Sequence, residues 1–159
     1  MNQSILEYQN KTTIYFTNVC DEMLRYIPQN AKCILDVGCG SGSFGEMIKS
    51  LSKVEVWGIE IAEDAAKEAA SKIDRVIIAD VEKDTLNLPR DYFDCIVFND
   101  VLVHLCNPWN VLVRCKAFLQ EVGYIVASFR ISGTIFTLEA CLLTRIGNIK
   151  MRASSTKPI

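Results

Sequence analysis

Residues Ile34 to Gly42 read Ile-Leu-Asp-Val-Gly-Cys-Gly-Ser-Gly, an apolar run closed by a carboxylate and then three glycines at every second position. The apolar run predicts a short buried strand over Cys33 to Val37, and Phe44 to Leu51 predicts the helix after the loop. Glycine suits a turn where a ligand lies against bare backbone, because a Cβ would block the approach. Many loops are glycine-rich, so the acid is the more informative residue. A nicotinamide or flavin site seats a pyrophosphate at such a turn, on the positive helix N-terminus. Asp36, two residues before the first glycine, would repel that phosphate and suits a ligand with a cationic head.

On either side of this loop, short apolar runs alternate with helical patterns. Strands are predicted at Val54 to Ile59, Arg75 to Ala79, Phe93 to Phe98 and Val122 to Phe129. Helices are predicted at Ser4 to Ile27, Glu63 to Lys72, Pro108 to Leu119 and Thr134 to Ile146, with a polar tail from Met151 to Ile159. Strands apolar throughout, alternating with helices, imply a parallel sheet covered on both faces, wound by right-handed crossovers. The fold class is therefore α/β, a doubly wound Rossmann-like sheet. Ligands in such sheets sit at the carboxyl ends of the strands, where the order reverses.

The other strand ends carry polar acceptors in order. Glu60 ends the second strand, and its carboxylate can accept from both hydroxyls of a ribose. Asp80 ends the third and can accept from an exocyclic adenine amine, while Ile61 and Val81 beside these acids can sandwich the base. Asn99 and Asp100 end the fourth. Any one of them also fits a turn former; a suitable group at every strand end is harder to attribute to turns. His104, the only histidine, follows the fourth strand and suits either a general base or a helix-start cap.

The run Ile34 to Gly42 resembles motif I of the class I S-adenosylmethionine-dependent methyltransferases. Trp57-Gly58-Ile59-Glu60-Ile61 is similar to the family's second motif, and Arg75 to Glu82 looks like its third. Phe93 to Leu105 resembles the segment around strand four, and Gly123 to Ser128 resembles strand five. The resemblance implies strand order 3-2-1-4-5 and S-adenosylmethionine as cofactor, with S-adenosylhomocysteine as product. It implies a cofactor site at Asp36, Gly38, Cys39, Gly40, Gly42, Glu60, Ile61, Asp80, Val81, Asn99 and Asp100. Among subfamilies it looks closest to bacterial enzymes of polysaccharide or glycosyl-transfer pathways, which implies a small-molecule or sugar-related acceptor. The chain departs from the pattern at Val103, where relatives often have glutamate, and at Arg130 and Ile131, where they often have Pro-Asn. The full fold also ends in a strand hairpin after strand five and its helix. Only thirteen residues follow Ile146, so that hairpin is expected to be missing.

The chain has 159 residues, half of them hydrophobic, which suits one folded domain: a helical segment over 1–30, a core over 31–130, and a last helix and tail over 131–159. A net charge of −2 with scattered lysines and arginines gives no electrostatic reason to expect nucleic acid. No apolar stretch suggests a signal peptide or membrane span, so a cytoplasmic protein is expected. The seven cysteines lack zinc-type spacing and are expected to be free thiols, with no metal site. Two functions follow: a methyltransferase acting on a small molecule, or a truncated, non-catalytic cofactor-binding module that needs a partner. A missing hairpin would leave strand five at an edge, open to pairing in an oligomer. An NAD-dependent dehydrogenase is disfavoured by Asp36.

Overall fold

The computed structural model describes residues 23–131, 134–142 and 149–156, with side chains through Ser128. Most of the helix expected over Ser4 to Ile27 lies outside those residues; Met23 and Leu24 are helical, and Met23 is fully buried. The elements run β1 (Cys33–Val37), α1 (Ser43–Leu51), β2 (Glu55–Glu60), α2 (Glu63–Ala69), β3 (Arg75–Ile78), β4 (Phe93–Asn99), α3 (Pro108–Cys115) and β5 (Leu119–Ile131). Alternate strand residues point to opposite faces, and both faces are covered. Leu35, Val37, Ile59, Ile96 and Phe98 pack with Val111 and Cys115 of α3 on one side. Ile34, Val56, Cys95 and Val97 pack with Phe44 and Ile48 of α1 and Ala69 of α2 on the other. The five strands are parallel in the order 3-2-1-4-5 that the family resemblance implies.

The C-terminal segment differs from its expectation. Thr134 to Leu142, read as part of a helix, is strand β6, and Ile149 to Thr156, mostly read as polar tail, is strand β7. Both pair antiparallel beyond β5, so the sheet has seven strands in the order β3-β2-β1-β4-β5-β6-β7. The expectations of a missing strand pair, of β5 at an edge, and of an oligomer formed through that edge are thereby corrected. β6 pairs with Tyr124 to Ile131 of β5 and meets backbone groups that a helix packed on the sheet could not. Ile131 pairs directly with Thr134, so Ser132 and Gly133 alone separate the two strands, the length and composition of a tight hairpin connection.

At the amino end of β2, Glu55 accepts from Trp57 Nε1 (2.6 Å) and from the Tyr92 hydroxyl (2.8 Å). At the other end, β2 carries the glycine loop. Cys39 turns its side chain into the core directly over Gly58, where a Cβ would lie 2.5 Å from the Cys39 sulfur and 2.8 Å from Ile73 Cδ1. Gly58→Ala is therefore expected to cost roughly 1–3 kcal/mol by overpacking. Denaturant unfolding checks it, and the loss should shrink in a Cys39→Ala background, where the sulfur is gone. An equal loss in both backgrounds would show that the loop does not press on β2.

Candidate functional site

The carboxyl ends of β1, β2 and β3 and the turn after β4 enclose a cleft of about 260 Å³. Its floor is set by how the glycine loop is held. Gly38, Gly40 and Gly42 have φ of 74°, 54° and 79°, and the loop turns back over the end of β2. There Ile59 O accepts from the N–H of Gly38 (2.7 Å) and of Cys39 (3.1 Å). Glu60 Oε2 accepts from the Gly40 N–H at 2.8 Å, and Oε1 from the Ala62 N–H at 2.9 Å. A Cβ on Gly38 would stand 2.4 Å from a Val101 methyl, so bare backbone is required there as well as a left-handed turn.

Of the residues expected at the site, Gly38, Glu60, Ile61, Asp80, Val81 and His104 line the cleft together. His104 ends a short 3-10 turn, Leu102–His104, and is exposed. Asp80 accepts from the Glu82 N–H (2.9 Å), and the Lys83 ammonium at 2.6 Å holds its carboxyl below the usual range. Gly40 and Gly42 shape the loop without lining the cleft; Gly42 is the N-cap of α1. Cys39 is a core thiol pushed up to about 12 by burial and then by the charges of Asp36 and Glu60, so it is inert. Asn99 and Asp100 also stand outside the lining and engage β5. Ser128 donates to Asn99 Oδ1 (2.9 Å) and accepts from the Asp100 N–H (3.1 Å). Asp100 sits at φ 59°, and burial raises its pKa against the opposing effect of His104.

Asp36 is buried in β1 with 1% of its surface exposed. Among the described residues its Oδ1 has no hydrogen-bond partner. Burial, and then the charge of Glu60, pushes its pKa up to about 7. Residues that were not expected at the site also line the cleft: the acid Glu82, and the apolar Val37, Ile59, Ala79, Val101 and Leu105. The lining thus carries Glu60, Asp80 and Glu82 but no lysine or arginine. Such a wall repels a pyrophosphate and favours a nucleoside with a cationic head. The acceptors Glu60 and Asp80, beside the apolar Ile61 and Val81, are chemically compatible with the nucleoside of S-adenosylmethionine. Each carboxylate offers about four acceptor positions, so the backbone bonds already made leave capacity for a ligand. No group of three His, Cys, Asp or Glu able to hold a metal occurs among the described residues, and no described helix is long and apolar enough to cross a membrane.

A family model described as a methyltransferase domain matches residues 35–127. The chain belongs to this methyltransferase domain family. The ubiquinone biosynthesis O-methyltransferase of Actinobacillus pleuropneumoniae is 32% identical to it over 139 residues, 78% of this chain and 57% of that protein. A malonyl-acyl-carrier-protein O-methyltransferase of Paenibacillus sp. is 33% identical over 101 residues, 58% of this chain and 37% of that protein. The crystal structure of a SAM-dependent methyltransferase from Archaeoglobus fulgidus superposes with a TM-score of 0.64 and 28% identity, over 73% of this chain and 53% of that one. The chain spans about half the length of the curated relatives it matches. The matched segment contains the end of β1 from Leu35, the glycine loop and every residue that lines the cleft.

The raised pKa of Asp36 has a sign that can be tested. Between about pH 4 and pH 7 the unfolded chain holds Asp36 ionised while the folded chain keeps it protonated. The folded state binds the extra proton there, so this group's contribution to stability falls as pH rises through that window. The Tm of Asp36→Asn relative to the unaltered protein should therefore climb between about pH 4 and pH 7 and level off above. A difference that stays flat across this range would show an ordinary carboxylate.

Proposed function

We propose that this domain binds S-adenosylmethionine in the acidic cleft and transfers its methyl group to a small-molecule or sugar-related acceptor. The observation that carries this is the conjunction of a cleft whose three acids meet no lysine or arginine in the lining with the buried, under-satisfied Asp36 beneath a methyltransferase-type glycine loop. When bound, the cofactor supplies an electrophilic methyl group on its sulfonium. Glu60 holds the ribose hydroxyls, Asp80 and Val81 the base, and Asp36 favours the cationic end through its charge. The transfer is an in-line displacement, so the protein mainly supplies alignment, worth roughly 7–11 kcal/mol when the geometry is right. The two named relatives are O-methyltransferases. A hydroxyl acceptor must lose a proton, and His104 is the imidazole in the cleft wall able to take it.

A non-catalytic binding module would be favoured by an open β5 edge, and β6 occupies that edge. A relative named for ubiquinone biosynthesis supports a small organic acceptor, while one named for malonyl-acyl-carrier protein points to an acyl group carried on a protein.

S-adenosylhomocysteine should raise the Tm by linkage, and NAD should not. Stabilisation by NAD alone would overturn the proposal. Glu60→Ala should weaken S-adenosylhomocysteine binding by roughly 1.5–3 kcal/mol, the scale of hydrogen bonds to a charged group. Calorimetry that finds unchanged affinity in a folded variant would remove Glu60 from the site.

A further inference from the structure

The two walls of the cleft are laced to each other by a pair of side chains, Glu82 and Arg114. β3 and β4 are three strand spacings apart in the sheet, about 14 Å. The turn after β3 and the segment after β4 nevertheless touch. Glu82 reaches across and accepts from the backbone N–H of Cys106 (3.1 Å) and of Asn107 (2.8 Å). Arg114, about two helical turns further on in α3, reaches back the other way. Its guanidinium donates to the carbonyls of Val81 (2.9 Å), Glu82 (2.7 Å) and Asp84. Each segment sends one side chain to the other's backbone.

The consequence falls on Asp80. The peptide between Val81 and Glu82 is held at both ends: its oxygen by Arg114, its N–H by Asp80 Oδ1 at 2.9 Å. Asp84, whose carbonyl Arg114 also holds, accepts from the Asp80 N–H at 2.7 Å through its carboxylate. Arg114 therefore fixes the backbone that follows the acid facing the cleft and supplies its hydrogen-bond partners, without lining the cleft itself. A guanidinium suits this task, because its planar fork spans several carbonyls at once, which a single ammonium cannot do.

We infer that Arg114 is a positioning residue for the nucleobase end of the cleft, and that with Glu82 it sets the distance between the Asp80–Val81 wall and the His104–Leu105 wall. This rests on the cleft being a nucleoside site. It makes nucleobase affinity depend on a residue more than thirty positions away along the chain from Asp80.

Calorimetry with S-adenosylhomocysteine and with adenosine, which lacks the amino-acid end, tests it. Arg114→Ala should weaken both ligands by a similar factor, about tenfold, and Arg114→Lys should fall between it and the unaltered protein. Glu82→Gln should weaken both as well, and the double variant should lose less than the two single losses combined. Tyr92→Phe, which removes a hydrogen bond to Glu55 at the far end of β2, is the stability control and should leave both affinities unchanged. If Arg114→Ala does not fold, Arg114→Lys and Glu82→Gln carry the same comparison. The inference fails if folded Arg114 variants bind both ligands as the unaltered protein does. It fails if only S-adenosylhomocysteine is affected, or if Tyr92→Phe weakens binding as much. If the unaltered protein binds neither ligand, the nucleoside site itself fails.

Discussion

Three backbone N–H groups of the loop after β1 hang on the end of β2, and most of the site follows from that attachment. Gly38 and Cys39 share the Ile59 carbonyl, and Gly40 takes one oxygen of Glu60. To lie this close, the loop needs bare backbone at Gly38, against Val101, and β2 needs it at Gly58, under Cys39. Glu60 consequently belongs to two structures at once: it anchors the loop and forms part of the cleft wall. A ligand that engages Glu60 thus bears on the loop through the same carboxylate.

The two ends of the sheet treat their acids in opposite ways. At the amino end of β2, the indole of Trp57 and then the hydroxyl of Tyr92 donate to Glu55, and its pKa is lowered accordingly. At the carboxyl ends, Asp36 is buried with an oxygen left without a hydrogen bond, and Glu60 adds a second negative charge nearby. An unsatisfied buried carboxylate is a destabilising feature on any accounting of the free protein. Its place beside the loop is where a cationic ligand would offset the cost. Glu55 is held as an anion by its two donors, whereas burial works against the ionised form of Asp36.

The parallel half of the fold was legible because each buried strand is a short apolar run between polar breaks, and helices alternate with them. Thr134 to Leu142 was not, since Ile135, Leu138 and Leu142 suit a helix while alternate residues also suit a strand. What decides it is the vacancy along β5, a tertiary demand that local pattern does not express. Ser132-Gly133 was the available clue, because a two-residue break containing glycine between apolar runs marks a hairpin. In the site, the acids at the ends of β2 and β3 were readable from position alone. Asn99 and Asp100 occupy the corresponding place on β4 but bond to Ser128, because β5 brings a hydroxyl beside them. The bracing role of Glu82 and Arg114 was not readable, since their partners are backbone groups on another segment.

Every residue lining the cleft falls between Val37 and Leu105, and the residue that braces its wall is Arg114. All lie inside the segment that matches the methyltransferase domain family, 35–127. Among the described residues, the charge and the spacing of the two walls thus have different sources: Glu60, Asp80 and Glu82 supply the charge, and Arg114 with Glu82 the brace between the walls.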